Sequence, residues 1–308
     1  MKKFAFIYPG QGSQSVGMGK SVREAFKEAE KIFDKASALA GYDMLSLCAD
    51  GPVTKLSRTL YTQPALFTVE AAITDVLKTR GIVPSTVAGH SLGEFGAWYT
   101  AGVYSFEDGF FLVSERGRIM DSADPDGNGT MAAVIGLDFD VVRDVCDSFD
   151  GTVVVANYNS PQQIVISGEK NAVTKAGEIL NERGAKRVLP LDVSGAFHSP
   201  MMENAHDEFA SVVEKISISD AQLPVYSNVS ASPVTDAGEI KKIMVEQLTS
   251  PVRWTDTIYN MIDDGVEEAY EIGSGNVLAG LVKRTDDRLK VKPVSDSSSL
   301  MEVLNERA

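Results

Sequence analysis

The chain of 308 residues contains little cysteine and no long apolar run. Cys48 and Cys146 are far apart and belong to no Cys-x-x-Cys or His-rich pattern, which argues against a disulfide framework and against a zinc site. No segment approaches the roughly 18 apolar residues that a membrane span requires. The basic start is followed by too short an apolar stretch for a secretory signal. These absences predict a cytoplasmic protein with no bound metal and no membrane association.

Positive charge is also scarce. The chain has 29 Lys and Arg against 43 Asp and Glu, a net charge of -14. This charge argues against nucleic acid as a partner, because its phosphates require a basic surface. The glycine-rich loop at residues 9–19 matches neither G-x-x-x-x-G-K-[ST] nor G-x-G-x-x-G, so we expect no nucleotide site there.

The most informative segment is Gly89-His90-Ser91-Leu92-Gly93. This G-x-S-x-G pattern is typical of a serine displayed on a sharp strand-to-helix turn, where the flanking glycines allow close backbone approach. The Leu92 amide at the start of the following helix would face the oxyanion that forms on an attacked carbonyl. The motif alone occurs by chance roughly 0.1 times in a chain of this length, so its context has to decide its meaning.

Strand and helix signals alternate on both sides of a central region. We predict strands at 4–8, 86–88, 225–227 and 268–272, and helices at about 21–40, 63–80, 201–215, 237–247, 255–264 and from 277 onward. This alternation predicts an α/β fold with a mostly parallel sheet covered by helices. Active sites in such folds lie beyond the carboxyl ends of the strands.

A cluster of turn-forming residues at 124–129 introduces a different pattern. The elements predicted after it, between 131 and 191, follow the order β-α-β-β-α-β, which is the ferredoxin-like arrangement. We therefore predict that residues 126–197 form a small subdomain inserted into a large domain made of residues 1–125 and 198–308. The cleft between the two is a natural binding site.

A serine nucleophile needs a base, and the three histidines differ in position. His90 adjoins the serine in sequence and has little reach to its hydroxyl, which favours a positioning role. His206 falls inside a predicted helix beside acidic residues, as is typical of a solvated or ion-paired side chain. His198 lies in a loop directly after a predicted strand, bounded by glycine and proline. Such loops commonly carry catalytic side chains, so His198 is the candidate base.

Arg116 falls on the apolar face of the predicted helix that ends near Ser122. The other residues of that face are Phe106, Phe110, Leu112, Val113, Ile119 and Met120. An arginine there needs an anionic partner, because an unpaired buried charge is costly. Two interpretations stay open: a structural ion pair, or a fork that binds a substrate carboxylate.

Six segments in this order and spacing resemble the malonyl-CoA:acyl carrier protein transacylases. They are residues 9–14 (PGQGSQ), 63–65 (QPA), 89–94 (GHSLGE), 115–117 (ERG), 196–199 (AFHS) and 247–254. The resemblance spans nearly the whole chain. It implies a hydrolase-like α/β domain with an inserted ferredoxin-like subdomain.

The resemblance also implies roles for individual residues. Ser91 is the nucleophile and His198 is its base. The amides of Gln11 and Leu92 form the oxyanion hole, and an oxygen of Gln247 orients the base in place of an acidic residue. No metal or redox cofactor is expected, because the coenzyme A thioester is itself the substrate.

Further positions concern the acyl group. By resemblance, Arg116 grips the malonyl carboxylate, and Phe197 matches the malonyl-selective form of its motif rather than the form with a smaller residue. Met120 is a further candidate for substrate binding. The stretch at 95–99 is bulkier than the usual family pattern, and we expect Trp98 to pack in the core.

These residues predict transfer of the malonyl group from malonyl-CoA to the phosphopantetheine thiol of acyl carrier protein in fatty acid biosynthesis, by a monomer. Three alternatives stay open: a free-standing acyltransferase that serves a polyketide synthase, a serine thioesterase or esterase, and a non-catalytic scaffold that binds the carrier protein. The absence of an obvious acidic triad member and the presence of Arg116 favour transfer over hydrolysis.

The negative charge is at odds with anionic substrates, because the field of the whole protein should slow their encounter. Local basic residues would have to compensate. The densest cluster is Lys283, Arg284, Arg288, Lys290 and Lys292, and a second pair is Lys186 and Arg187. The alternative for the larger cluster is a solvated helix end balanced by Asp286 and Asp287.

Overall fold

The computed structural model describes residues 3–307, so the predicted domain ranges extend beyond it at residues 1, 2 and 308. Its strands are β1 (Lys3–Tyr8), β2 (Thr86–Gly89), β3 (Gly129–Ile135), β4 (Val153–Ser160), β5 (Gln163–Glu169), β6 (Arg187–Pro190), β7 (Val225–Tyr226), β8 (Pro233–Val234), β9 (Val266–Ile272) and β10 (Lys290–Val294).

Helices of very different length connect these strands. They are α1 (Lys20–Ala25), α2 (Lys27–Ala40), α3 (Met44–Asp50), α4 (Val53–Leu56), α5 (Thr59–Thr79), α6 (Gly93–Thr100), α7 (Phe106–Ser122), α8 (Phe139–Asp147), α9 (Lys170–Glu182), α10 (Glu203–Val213), α11 (Ala237–Glu246), α12 (Trp254–Asp263), α13 (Val277–Thr285) and α14 (Ser297–Arg307). Among residues 3–307, no helix combines the length and apolar character needed to cross a bilayer.

The large sheet has the strand order β10-β9-β1-β2-β7-β8, and every neighbouring pair except β7 with β8 is parallel. Tyr8 at the end of β1 is in register with Gly89 at the end of β2. Because the carboxyl ends of these parallel strands meet at one edge, the loop after Tyr8 lies beside the turn that carries Ser91.

The small sheet is antiparallel with the order β4-β5-β3-β6. Its four strands and the helices α8 and α9 follow the predicted β-α-β-β-α-β sequence and enclose a core of their own. The predicted α/β fold with a ferredoxin-like subdomain is therefore confirmed. The two sequence limits of the insertion remain predictions.

Some element predictions were wrong. The single helix expected over residues 21–40 is two helices, because Phe26 adopts an extended conformation with φ -131° between α1 and α2. The helix expected from residue 201 begins as a short 3₁₀ turn at Pro200–Met202. The chain also continues past α13 into strand β10 and helix α14, neither of which was predicted.

Close packing fixes the turn between β2 and α6. A Cβ atom at Gly93 would lie 2.0 Å from the backbone oxygen of Tyr8, and one at Gly89 would lie 2.0 Å from backbone atoms of Gly93. The predicted need for glycine on both sides of Ser91 is therefore confirmed. Trp98, one turn further along α6, is 1% exposed and packs edge-on against Phe95, as expected for a core residue.

Candidate active site

Ser91 occupies the turn between the end of β2 and the start of α6 with φ 51°, a left-handed conformation that is rare outside glycine. Its amide donates a hydrogen bond to Asn228 Oδ1 at 2.7 Å, and its carbonyl oxygen accepts one from Gln247 Nε2 at 3.0 Å. These bonds hold the strained backbone in place. The hydroxyl is thereby directed to the carboxyl edge of the large sheet.

His198 Nε2 lies 2.8 Å from Ser91 Oγ, although the two residues are 107 positions apart. His198 is 4% exposed and also adopts a positive φ, 56°. Its loop follows the small subdomain and precedes α10, so the two parts of the chain join at this contact. The distance suits proton transfer between a hydroxyl and an imidazole.

The neighbours of the His198 ring define its tautomer. Nδ1 lies 2.8 Å from the main-chain oxygen of Gln247 and 3.1 Å from that of Ser250, and carbonyl oxygens only accept. Nδ1 therefore carries the proton, and Nε2 is free to accept one from Ser91. Burial, and secondly the charge of Arg116, lower the pKa of His198 to about 3, which keeps the ring neutral at physiological pH.

Two backbone amides beside Ser91 are uncommitted. Within residues 3–307, neither the amide of Gln11 nor that of Leu92 donates a hydrogen bond to another group. Both residues line the cavity around Ser91. Leu92 directly precedes α6, so its amide belongs to the partly positive end of that helix.

Arg116 on α7 reaches the same point from the opposite side. It is 1% exposed, and its Nη2 donates to Gln247 Oε1 at 2.7 Å and to Ser91 Oγ at 3.3 Å, while Nη1 donates to Gln63 Oε1 at 2.9 Å. Its buried Nε has no hydrogen-bond partner within residues 3–307. Burial lowers the pKa of the guanidinium to about 9, opposed by Glu94, so it stays charged at neutral pH.

Apart from Ser91 Oγ, the acceptors that contact the Arg116 guanidinium are therefore the neutral side-chain amides of Gln63 and Gln247, where an anionic partner was expected. Within residues 3–307, Arg116 makes no ion pair with a carboxylate, so the first interpretation, a structural ion pair in direct contact, is wrong. The guanidinium is oriented by acceptors that do not neutralise it. It presents an uncompensated charge to the cavity that holds Ser91 Oγ.

That cavity has a volume of about 110 Å³. It brings together nearly all of the predicted site residues, namely Gln11, Ser91, Leu92, Arg116, Met120, Phe197 and His198. Gln247 does not line it but bonds to three of its residues. A wider groove of about 680 Å³ adjoins it and shares Gln11 and Val193.

Three polar residues of the site had no role in the sequence prediction. Glu94 and Asn228 are fully buried behind the turn, and Gln63 holds Arg116. Glu94 and Gln63 lie inside the motifs of the resemblance, but motifs do not indicate where side chains point. Asn228 follows the short strand β7, and its position after a parallel strand was the available signal.

The remaining histidines behave as expected. His90 Nε2 lies 2.7 Å from Asn159 Oδ1, a contact that links the turn to β4 of the small subdomain. His206 on α10 lies 3.0 Å from the carboxylate of Asp207. Within residues 3–307, no group of three or more His, Cys, Asp or Glu side chains is arranged to hold a metal ion.

Among residues 3–307, some members of the larger basic cluster form ion pairs and others do not. Arg288 is paired with Asp286 at 2.7 Å, as the balanced alternative predicts, and Lys292 is paired with Glu306 at 2.7 Å, which that alternative did not include. Arg284 instead donates to Gln163 Oε1 of β5 at 3.3 Å. Lys283 and Lys290 line a surface cavity of about 520 Å³.

Comparisons with known proteins agree with this geometry. The model of a family described as acyl transferase domain matches residues 5–301. A malonyl CoA-acyl carrier protein transacylase of Bacillus subtilis (strain 168) is 44% identical and aligns over 97% of this chain and 96% of its own. The crystal structure of an acyl carrier protein S-malonyltransferase from Vibrio cholerae superposes with a TM-score of 0.95 at 42% identity, covering 98% of this chain and 100% of its own.

A third match is a malonyl-transacylase solved in complex with its type II PKS acyl-carrier protein, with a TM-score of 0.96 at 42% identity over 99% of this chain and 100% of that one. Family model, sequence relatives and solved structures thus cover the chain almost from end to end. The chain belongs to the acyl transferase family and, within it, to the malonyl CoA-acyl carrier protein transacylases.

Proposed function

We propose that this acyltransferase moves a malonyl group from malonyl-CoA to the phosphopantetheine thiol of an acyl carrier protein through a malonyl ester of Ser91. The observation that carries the choice of acyl group is the Arg116 guanidinium, buried beside Ser91 Oγ with no carboxylate in contact. A carboxylate at the end of the acyl chain supplies the missing anion, and the planar fork suits it.

In the first half-reaction, Ser91 Oγ attacks the thioester carbonyl while His198 Nε2 takes the hydroxyl proton. Negative charge develops on the carbonyl oxygen, which accepts hydrogen bonds from the free amides of Gln11 and Leu92. The C–S bond then breaks, and the proton on His198 passes to the departing thiolate. Coenzyme A leaves as the thiol and a malonyl-serine ester remains.

The second half-reaction reverses these steps with a different thiol. The carrier protein's phosphopantetheine thiol gives its proton to His198 and attacks the ester carbonyl. The bond to Ser91 Oγ breaks, and the oxygen recovers its proton from His198. We propose that the main-chain oxygen of Gln247 keeps Nδ1 protonated throughout, as an acidic residue does in other triads.

The sizes of the cavity and of the groove that adjoins it fit the two parts of the substrate, the acyl group and the pantetheine arm. The cavity of about 110 Å³ beside Ser91 is much smaller than the groove that adjoins it, and it suits a short acyl group. Met120 and Phe197 close its apolar side and would limit branching of the acyl chain. The adjoining groove of about 680 Å³ has room for the pantetheine arm of either thioester.

Acyl-donor preference tests the proposal. Replacement of Arg116 by Ala should lower kcat/KM for malonyl-CoA by at least about 30-fold, because truncating one partner of a buried charge pair costs 2–5 kcal/mol or more. The loss with acetyl-CoA should be much smaller. Arg116→Lys is the matched control, since it keeps the charge but not the fork. Equal losses on both donors would contradict the assignment.

The nucleophile can be tested separately. Ser91→Ala should abolish the malonyl adduct that mass spectrometry detects after incubation with malonyl-CoA, and an adduct on that variant would overturn the role of Ser91. Partition of the acyl-enzyme between water and a carrier thiol separates a transferase from a thioesterase or esterase. We expect full activity after dialysis against a chelator, because the proposed steps use no metal or other cofactor.

We also propose that the carrier protein docks on two basic groups, Lys283 with Arg284 and Lys186 with Arg187, which lie near the same end of the strands of the small sheet. Gln163, which accepts a hydrogen bond from Arg284, is in register with Ile135, and Ile135 is in register with Arg187. Two strand spacings, about 10 Å, separate Gln163 from Arg187. A local positive surface here would offset the repulsion from a net charge of -14.

Charge reversal tests this surface. The double variant Lys283→Glu with Arg284→Glu should raise KM for the carrier protein at low salt and leave the malonyl-CoA half-reaction unchanged. Reversal at Lys292, already paired with Glu306, is the control. Unaltered carrier transfer at low salt would dispose of the docking surface.

The pathway is fatty acid biosynthesis in this proposal, carried out by a cytoplasmic monomer. The relative solved with a type II PKS acyl-carrier protein supports a second candidate, an acyltransferase that serves polyketide synthesis. Transfer rates to one carrier protein from each pathway, measured on the same enzyme, distinguish the two. Sedimentation at several concentrations tests the monomer.

A further inference from the structure

Glu94 is a fully buried carboxyl group three residues after Ser91 on α6, and it does not line the cavity. Its two oxygens each accept one hydrogen bond. Gln247 Nε2 donates to Oε2 at 2.5 Å, and the amide of Asn228 donates to Oε1 at 3.0 Å. The reaction steps above do not use Glu94, although its two partners both contact the residues that do.

The side-chain amide of Gln247 could face either way, and its neighbours decide which. On one side lie Glu94 Oε2 and the carbonyl oxygen of Ser91, and a carbonyl oxygen is an acceptor only. Burial raises the pKa of Glu94 to about 8, opposed by the hydrogen bonds from Gln247 and Asn228 and by the charge of Arg116, and both of its oxygens accept. On the other side lies Arg116, which only donates. The NH₂ group must therefore face Glu94, and the amide oxygen must face the guanidinium.

This polarity matters because Arg116 has few other restraints. Its terminal nitrogens are held by Gln63 Oε1 at 2.9 Å and Gln247 Oε1 at 2.7 Å, and its Nε is unpaired within residues 3–307. A carboxylate bonded directly to the guanidinium would occupy the fork that the acyl carboxylate needs. An amide inserted between Glu94 and Arg116 orients the fork and leaves its charge available.

The second oxygen of Glu94 supports the nucleophile turn. It accepts from the amide of Asn228, whose side chain accepts from the amide of Ser91 at 2.7 Å and donates to the carbonyl of Gly89 at 2.6 Å. One carboxyl group therefore bridges the segment that restrains Ser91 and the segment that restrains Arg116. Loss of the Glu94 carboxyl group would therefore change the distance between the site that binds the acyl carbonyl and the site that binds the acyl carboxylate.

We propose that Glu94 is a positioning residue that makes the site selective for acyl groups ending in a carboxylate, by fixing the Gln247 amide with its oxygen toward Arg116. The inference rests on the proposed function of Arg116.

The test uses Glu94→Gln, which preserves shape but supplies one acceptor where two donors converge. Every orientation of the introduced amide and of the Gln247 amide then leaves two donors facing each other, either at Asn228, between the two amides, or at Arg116. We expect the ratio of kcat/KM for malonyl-CoA to that for acetyl-CoA to fall about tenfold or more, as a mispaired buried hydrogen bond implies. Glu70→Gln, a buried carboxyl that does not bond to the site, is the matched control and should keep the wild-type ratio.

A second variant separates positioning from folding. In the exchange Glu94→Gln with Gln247→Glu, the amide at position 94 can donate to the new carboxylate and accept from Asn228. The carbonyl oxygen of Ser91 loses its donor, so the thermal midpoint should recover only in part. The carboxylate at position 247 would pair directly with Arg116, so the donor ratio should remain low. A wild-type ratio in the exchanged protein, or in a folded Glu94→Gln variant, would overturn the proposal.

Failure of the proposed function gives a different pattern. If Arg116 does not select the acyl group, Arg116→Ala leaves the donor ratio unchanged in the otherwise wild-type enzyme. If Arg116 selects but Glu94 does not act through it, Glu94→Gln lowers the ratio further in the Arg116→Ala background. The proposal expects no further change there, because the fork that Glu94 positions is already absent.

Discussion

Glu70 lies on α5 with both carboxyl oxygens fully buried and without a hydrogen-bond partner within residues 3–307. It points toward α6, where a Cβ atom at Gly96 would lie 2.5 Å from Oε2, so the glycine makes room for it. Burial raises the pKa of this carboxyl well above 4.5. We predict that Glu70 is neutral in the folded protein and lowers its stability increasingly as the pH rises.

The sign follows from proton binding. Between pH 4.5 and the raised folded pKa, the folded protein keeps a proton that the unfolded chain releases, so the stability falls as pH rises. Each pH unit corresponds to about 1.4 kcal/mol, and if Glu70 stays protonated up to pH 7 the loss from pH 4.5 to pH 7 reaches about 3.4 kcal/mol. This is a large part of the 5–15 kcal/mol by which proteins are stable.

The assay compares wild type with Glu70→Gln by urea unfolding at pH 5, 6, 7 and 8. The amide has the same shape but does not titrate, so the wild type should lose up to about 1.4 kcal/mol per pH unit relative to the variant. Glu24→Gln on the exposed face of α1 is the control and should show no such trend. A wild-type-to-variant difference that is constant from pH 5 to pH 8 would refute the reasoning.

Two further predictions concern the nucleophile turn. The rate at which a neutral sulfonyl fluoride inactivates Ser91 should not fall off near pH 6.5, because the pKa of His198 is lowered to about 3. In Arg116→Ala the rate should begin to fall at a higher pH than in the wild type, because a nearby positive charge that lowers this pKa is gone. A wild-type rate that falls off near pH 6.5 would be inconsistent with the buried, neutral ring. Gly93→Ala should lower the thermal midpoint by many degrees or prevent folding, because its Cβ would lie 2.0 Å from a backbone oxygen of β1. Gly280→Ala is the control and should be tolerated, because its Cβ would lie 3.5 Å from the nearest side-chain atom.

Buried strands and long amphipathic helices were predictable because their signals are local. The sequence did not reveal β10, whose five residues Lys290–Val294 include two lysines and a proline. Such a composition is typical of an edge strand and is otherwise close to that of a loop. The break between α1 and α2 was missed for a different reason: the apolar spacing of 21–40 continues across Phe26, and its extended conformation carries no signal in that spacing.

The candidate site was predictable as a set of residues but not as a set of atoms. The order of the motifs predicted that Ser91, His198, Arg116 and Gln247 share one site. In the structure, Ser91 lies within hydrogen-bonding distance of His198 and of Arg116, and His198 within that distance of Gln247. Which oxygen of Gln247 meets the imidazole depends on how α11 ends. The main-chain oxygen takes that place, and the side chain turns to Arg116 and Glu94 instead. No sequence pattern specifies such a division.

The electrostatics of the site couple acyl recognition to the base. The charge of Arg116 is the second cause, after burial, of the low pKa of His198, so the imidazole is neutral but a weak base. A carboxylate bound to Arg116 would offset that charge and raise the basicity of Nε2, whereas an acetyl group would not. In the proposed reaction the Arg116 guanidinium therefore has two effects on the malonyl group. It binds the malonyl carboxylate, and this binding raises the basicity of His198, which activates Ser91. Uniform binding alone would leave the chemical step unchanged, so this coupling offers a physical reason to place the carboxylate site in contact with the nucleophile.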